Sequence, residues 1–244
     1  MYREIAPPAD LGEHVACVWT SVARGGVVFP DGCVDLVWRG DSLIVAGPAT
    51  GPVAAGVPVG VPVFGVRFRM GAAGAALGLP AGELADLTVD VGDVWGEEVV
   101  ARVAEGGPAA LLAAVRSRVR EPVDPLARAA ALEMARPGAR VGALELGVSE
   151  RQLRRRFLDA VGYGPKTLAR VLRFQRFLAL AREGGDLARL ALTAGYSDQA
   201  HLTRECRRLA GRTPAEIVAS GAGPAGERVR FVGAAEPRVA YRAA

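Results

Sequence analysis

Residues 146–165, LGVSERQLRRRFLDAVGYGP, return in altered form at residues 194–214, AGYSDQAHLTRECRRLAGRTP. Past the first turn the two stretches run in step at an offset of 49. Ser149 falls with Asp198, Leu153 with Leu202, Arg155 with Arg204, Phe157 with Cys206, Gly162 with Gly211 and Pro165 with Pro214. The copies extend back to Ala143 and Ala191, with one extra residue in the second turn. Capping, apolar and chain-breaking positions that stay in register describe one folding unit used twice.

Each copy parses as helix, turn, helix. A short Ala/Leu helix ends at Gly147 or Gly195, and Ser149 or Asp198 then caps the next helix by accepting from its unpaired amides. Gly162 or Gly211 closes that helix in the left-handed conformation, which costs glycine little, and proline follows three residues on. The second helix of each copy has two faces. Leu153, Phe157 and Val161 recur at i, i+4 and i+8, with Arg151, Arg154 and Arg155 on the other side. In the second copy Leu202, Cys206 and Leu209 make the apolar stripe, while Ala200, Thr203, Arg204 and Arg207 project outward beside Gln199. A helix buried on one face and carrying Arg, Gln and Thr on the other suits a DNA major groove. This is helix-turn-helix grammar.

Between the copies, PKTLARVLRFQRFLALAREG, residues 165–184, predicts one helix that opens on proline and carries Leu168, Val171, Leu172, Phe174, Gln175, Leu178, Ala179 and Arg182 at helical spacing. Such a helix spans about 25 Å. A stiff spacer of that length suits two recognition helices set in successive major grooves, and so a two-part, non-palindromic site.

Charge separates the same two regions. Residues 124–220 hold 17 Lys and Arg against 10 Asp and Glu, whereas residues 1–123 hold 9 against 14. A local basic excess suits a phosphate backbone, whose counterions each bound cation releases. The three cysteines (Cys17, Cys33, Cys206) are scattered and the only histidines are His14 and His201, so no metal or cofactor is expected. Scattered cysteines suit a reducing cytoplasm. The uncharged stretch 44–66 contains five Gly and four Pro, which argues against a membrane-spanning helix. The N-terminus lacks a signal-peptide layout, so a cytoplasmic protein with no membrane partner is expected.

The first part of the chain has hairpin grammar: HVACVWTSV (14–22), CVDLVW (33–38) and SLIVAG (42–47). In VFGVRFRM (63–70), Phe64, Val66, Phe68 and Met70 alternate with Gly65, Arg67 and Arg69, which predicts a half-buried strand with its arginines toward solvent. Helical periods begin near Gly71 and include a stripe of Leu111, Leu112, Val115 and Val119. In FPDGCVDLVW a turn and strand account best for Asp31 and Asp35, with Asp31, Asp35 and Arg67 kept as candidate effector contacts. The expected fold is α+β. A small β-barrel or sandwich-like regulatory or dimerisation domain with packed helices (1–122) precedes an all-α domain of two helix-turn-helix units joined by a linker helix (123–220) and a tail (221–244).

The C-terminal pattern resembles the AraC/XylS-type bacterial transcription regulators from about Leu126 to Ile217, most strongly in LGVSERQLRRRF, GYGPKTLARVLRFQR and AGYSDQAHLTRECRRLAGRTPAEI. The resemblance implies base contacts from Arg151, Arg154, Arg155, Gln199, Ala200, Thr203 and Arg204. Gln152, Arg156, Lys166, Arg207, Arg208 and Arg212 are assigned to phosphates, which position a protein without reading sequence. Relatives usually carry aromatics at the positions of Leu202 and Cys206, which implies looser packing of the second unit. The PDGCVDLVW and VFGVRFR segments resemble the N-terminal domain of a subgroup of these regulators whose effector is undefined.

The expected function is therefore a sequence-specific DNA-binding transcription regulator modulated by its N-terminal domain, not an enzyme. Its expected partner is double-stranded DNA, with RNA polymerase, an unidentified small-molecule effector and a second copy as further candidates. An alternative makes the N-terminal domain an enzyme built on Asp31, Cys33 and Asp35, with DNA binding accessory; a strongly raised Asp pKa or a reactive Cys33 thiolate would favour it, and the missing His and metal-ligand clusters count against it. A third reading makes that domain a dimerisation or partner-binding module without a small ligand.

Overall fold

The computed structural model describes residues 2–119, 121–136 and 147–220. Strands β1 (Arg3–Ile5), β2 (Val15–Val22), β3 (Val27–Val28), β4 (Asp35–Trp38), β5 (Leu43–Ala46), β6 (Val53–Ala54), β7 (Pro62–Phe68) and β8 (Thr88–Asp90) fill the first part. Six of them form one antiparallel sheet in the order β1, β2, β7, β4, β5, β8, and β3 pairs with β6 in a separate ribbon. The sheets are open. The sandwich-like form of the expectation holds, and closure into a barrel does not occur among the described residues.

Period-two alternation sorts the sheet into two faces. Leu36, Leu43, Val45, Val66 and Phe68 are buried against α1 (Ala73–Leu77) and α3 (Glu97–Arg118), together with Val99, Val103, Leu111 and Val115. The expected stripe of Leu111, Leu112, Val115 and Val119 falls at the end of α3, which is kinked at Gly107 and follows the short α2 (Val91–Trp95). The helical pattern expected from Gly71 is cut short, because α1 ends at Gly78 and a single 3-10 turn, Ala81–Leu84, leads into β8. On the opposite face lie Cys17, Trp19, Val63 and Arg67. Arg67 was expected to face solvent, yet only 6% of it is exposed. The β3–β6 ribbon and the loops beside it cover that face, which no local alternation can reveal.

The second part is helical: α4 (Pro125–Ala135), α5 (Glu150–Val161), α6 (Pro165–Ala181), α7 (Leu187–Ala194), α8 (Gln199–Ala210) and α9 (Pro214–Ala219). The first helix expected in the first unit, from Ala143 to Leu146, lies outside the described residues, as does the tail 221–244. One buried cluster joins these helices through Ala130, Phe157, Leu168, Phe174, Phe177, Ala191, Leu202 and Ile217. On α6 the expected apolar stripe is buried from Leu168 to Leu178, whereas Ala179 and Arg182 are exposed.

The two parts share a packed boundary. Phe29 and Met70, from the first part, belong to the helical cluster, and Phe29 meets Phe174 edge-on with ring centroids 5.8 Å apart. The Gln175 side-chain amide, on α6, donates a buried 2.6 Å hydrogen bond to the Pro30 carbonyl. Gln175 is thus buried as the helical spacing predicts, and its partner lies 145 residues away in the chain.

Candidate nucleic-acid interface

Helices α5 and α8 are built alike. Each spans 12 residues, begins at the predicted cap and ends at a glycine in the left-handed region: Gly162 at φ 96° and Gly211 at φ 66°. The Ser149 hydroxyl accepts from the Gln152 amide, and the Gln152 side-chain oxygen accepts in return from the Ser149 amide at 3.0 Å, a capping box. Asp198 accepts from the His201 amide at 2.6 Å. That hydrogen bond, with help from the Ser197 hydroxyl and Arg204, holds the Asp198 carboxyl below its ordinary range. Each cap satisfies a backbone amide that the first turn of the helix would otherwise leave unpaired.

The buried stripes are those the spacing predicts. Phe157, Leu202 and Cys206 are fully buried, and Leu153, Val161 and Leu209 nearly so. Leu202 and Cys206 therefore take core positions despite being smaller than the aromatics the resemblance calls for. Burial pushes the Cys206 thiol up to about 12, so it is an apolar filler rather than a nucleophile.

Opposite these stripes the proposed contact residues reach solvent. Arg151, Arg154, Arg155, Arg204, Arg207, Arg208 and Arg212 are exposed, and their side chains make no hydrogen bond or ion pair with any described residue. Lys166, Gln199 and Ala200 are exposed as well, and Thr203 is half-buried. The Thr203 hydroxyl donates to the Gln199 carbonyl at 2.8 Å, which leaves its lone pairs and methyl for an external partner. Gln152 has committed its amide oxygen to the capping box, so only its NH2 group remains to meet a phosphate. Arg156 differs from its neighbours: its Nε lies 3.6 Å from Asp124 Oδ2, on the side facing the start of α4.

Helix α6 is tied by side chains to the second unit and to α4. Arg170 binds Glu205 of α8 through two hydrogen bonds of 2.8 and 3.0 Å. Arg176 donates to the Ala194 carbonyl at 3.3 Å and to the Ala135 carbonyl at 3.2 Å, tying the ends of α7 and α4 to one guanidinium. Cations suit helix C-termini, where the carbonyls lack partners. Sequence reasoning missed these three-helix ties, because residues at helical spacing on α6 carry no signal of which distant partner they meet.

The first part touches the end of each recognition helix. A β-carbon at Gly162 would collide with the Pro48 ring and come 3.0 Å from the Ala81 carbonyl oxygen. One at Gly211 would lie 3.8 Å from Pro52.

Away from the helices, the structure brings Asp31, Asp35 and Arg67 together. Arg67 Nη2 lies 3.0 Å from Asp31 Oδ2 and 2.8 Å from Asp35 Oδ2, and Arg67 Nε donates to Asp35 Oδ1 at 3.0 Å. Burial raises the Asp35 carboxyl above its ordinary value, outweighing Arg67, while the two carboxylates more than offset the burial of Arg67 and keep it firmly protonated. Burial also pushes the Cys33 thiol well up, so Cys33 offers no ready thiolate for the enzymatic alternative. Among the described residues, no group of His, Cys, Asp and Glu is arranged to hold a metal ion, and no helix is long and apolar enough to cross a membrane.

Two capped helices, each carrying an arginine face and each following a glycine turn, define a class. Residues 143–220 match the family model described as a helix-turn-helix domain. The matched domain is of the AraC type, found in DNA-binding transcription regulators. Residues 3–90 match a family described as a domain of unknown function (DUF6597). No curated protein matches the chain. Among solved structures it is similar to ToxT from Vibrio cholerae O395, with 12% identity, a TM-score of 0.42 and coverage of 83% of this chain and 95% of that one. It is also similar to an apo lysine-to-alanine variant of ToxT from Vibrio cholerae strain SCE256 (12% identity, TM-score 0.43, 83% and 97% covered). A 1.65 Å structure of ToxT from Vibrio cholerae has 9% identity, a TM-score of 0.39 and coverage of 89% and 98%.

Proposed function

We propose that this regulator reads an asymmetric, two-part DNA site, with α5 and α8 in successive major grooves, and that residues 1–122 modulate a reader formed by residues 123–220. The observation that carries the reading is the matched pair of helices, each with an unpaired arginine face, whose opposite stripes join one buried cluster with α6. Arg151, Arg154 and Arg155 on α5 and Gln199, Ala200, Thr203 and Arg204 on α8 contact bases. Lys166, Arg207, Arg208 and Arg212 contact phosphates, as do Gln152, through its NH2 group, and Arg156, once it leaves Asp124. Modulation is supported by the buried Gln175–Pro30 bond and the Phe29–Phe174 contact, which place α6 against the N-terminal part.

The experiment is selection of bound duplexes from a random library by the full chain, repeated at two salt concentrations. The expected result is an asymmetric motif with two blocks about one helical turn apart. Affinity that collapses with salt and selects no sequence would refute specific reading, since that is the behaviour of phosphate contacts alone.

A further inference from the structure

Between the six-stranded sheet and the β3–β6 ribbon lies a cavity of about 210 Å3. Its walls are largely apolar, with Trp19, Val37, Ile44, Val53 and Val63 among them. Its inner charged groups are Asp31, Asp35 and Arg67, whose side chains are 15%, 13% and 7% exposed. Arg24 and Asp86, also in the lining, are exposed; Arg39 is half-buried, and its Nε is buried without a hydrogen-bond partner among the described residues. Charges near solvent are weakened by screening.

The inner cluster is unbalanced. One guanidinium faces two carboxylates, and Asp31 Oδ1 is further engaged only by the Cys33 amide at 2.9 Å. Within this inner cluster one negative charge has no counter-charge, since Arg39 and Arg24 make no ion pair with either carboxylate, an arrangement that is costly unless a proton or a cation neutralises it. An anion entering the cavity would meet two carboxylates, and a neutral ligand would leave the imbalance in place. We infer that this cavity binds a small organic monocation, a protonated amine with a compact apolar body, whose charge pairs with the Asp31–Arg67–Asp35 cluster. The cavity is smaller than the 300–1,000 Å3 typical of sites for drug-sized ligands, which keeps the ligand small.

The site is placed to be read. Phe29, Pro30 and Asp31 line the cavity, and the first two also meet Phe174 and Gln175 of α6. This consequence rests on the proposed role of the N-terminal part as a modulator of DNA binding; the binding site itself does not.

The test is calorimetric titration of the full chain at pH 7 with n-alkylamines from propyl to hexyl and with benzylamine, against benzyl alcohol and benzoate. An amine should bind at least tenfold more tightly than the alcohol and the acid. Asp31→Asn, which balances the cluster while keeping an acceptor for the Cys33 amide, should lose at least tenfold in amine affinity with an unchanged unfolding temperature. Preferential binding of benzoate, equal binding of amine by the variant, or silence across the whole amine series would overturn the inference. DNA retention on the same samples separates the two readings: a chain that binds amine and selects no duplex refutes the regulatory role and leaves the site standing.

Discussion

Gly162 and Gly211 occupy the same position in the two units, and replacing each by alanine should have unequal effects. Both sit in the left-handed region, where a β-carbon costs about 1–2 kcal/mol. At Gly211 that is nearly the whole cost, because the nearest atom to a new methyl would be Pro52 Cγ at 3.8 Å. At Gly162 the methyl would overlap the Pro48 ring and press on the Ala81 carbonyl, so that α5 and the N-terminal part must move apart. Overpacking of this kind adds about 1–3 kcal/mol. Gly211→Ala should therefore lose about 1–2 kcal/mol and Gly162→Ala about 2–5 kcal/mol. For a chain of this size each kcal/mol lowers the unfolding temperature by about 2–4 °C. The assay is thermal unfolding followed by circular dichroism. Asparagine, which tolerates left-handed geometry, supplies the control: it should rescue position 211 and fail at 162. Equal losses at the two sites would refute the packing of α5 against Pro48 and Ala81.

Three further outcomes are expected. Arg204→Ala should relax discrimination at one base pair by about 1–3 kcal/mol, whereas Arg208→Ala should weaken all duplexes alike, measured by titration of the selected site and its single-base variants. Phe157→Ala, which empties a fully buried position on α5, should cost about 3–5 kcal/mol in urea unfolding, and a loss below 1 kcal/mol would contradict the core described for the first unit. Asp198 and Glu216, both in caps, have lowered carboxyl pKa values, so the stability they contribute is complete above their unfolded values near 4 and is lost as pH falls through the folded ones. Asp198→Asn keeps a good cap and removes one titrating group, and denaturation from pH 7 to pH 3 should show a shallower acid decline in the variant than in the natural chain.

The helical units were legible because everything that defines them is local. Ser149, Leu153, Phe157 and Gly162 lie within 14 residues, and each acts on the backbone or on the turn next to it. The alternation in β7 was legible for the same reason, and it placed Phe64, Val66 and Phe68 on one face. What it could not tell was whether the other face met water. The answer depends on β3 and β6, two residues each, whose pairing closes a loop of more than 20 residues and leaves no periodic trace. Arg67 was misplaced on that account. Asp31, Asp35 and Arg67 could be singled out as residue types, but their meeting depends on the pairing of β4 with β7. The β8 strand, only three residues, was missed because it pairs at the sheet edge and has no apolar run of its own.

The segment from Pro48 to Pro52 approaches the end of α5 at one side and the end of α8 at the other. For anyone building chimeras this has a practical meaning. A reader taken from another regulator and joined after residue 122 would arrive without surfaces shaped to Pro48, Pro52 and Pro30, and its linker helix would need a donor where Gln175 stands. A graft boundary that looks clean along the chain cuts through a fitted joint in space, so working hybrids should come from exchanging the 48–52 segment and the residue at 175 together with the reader.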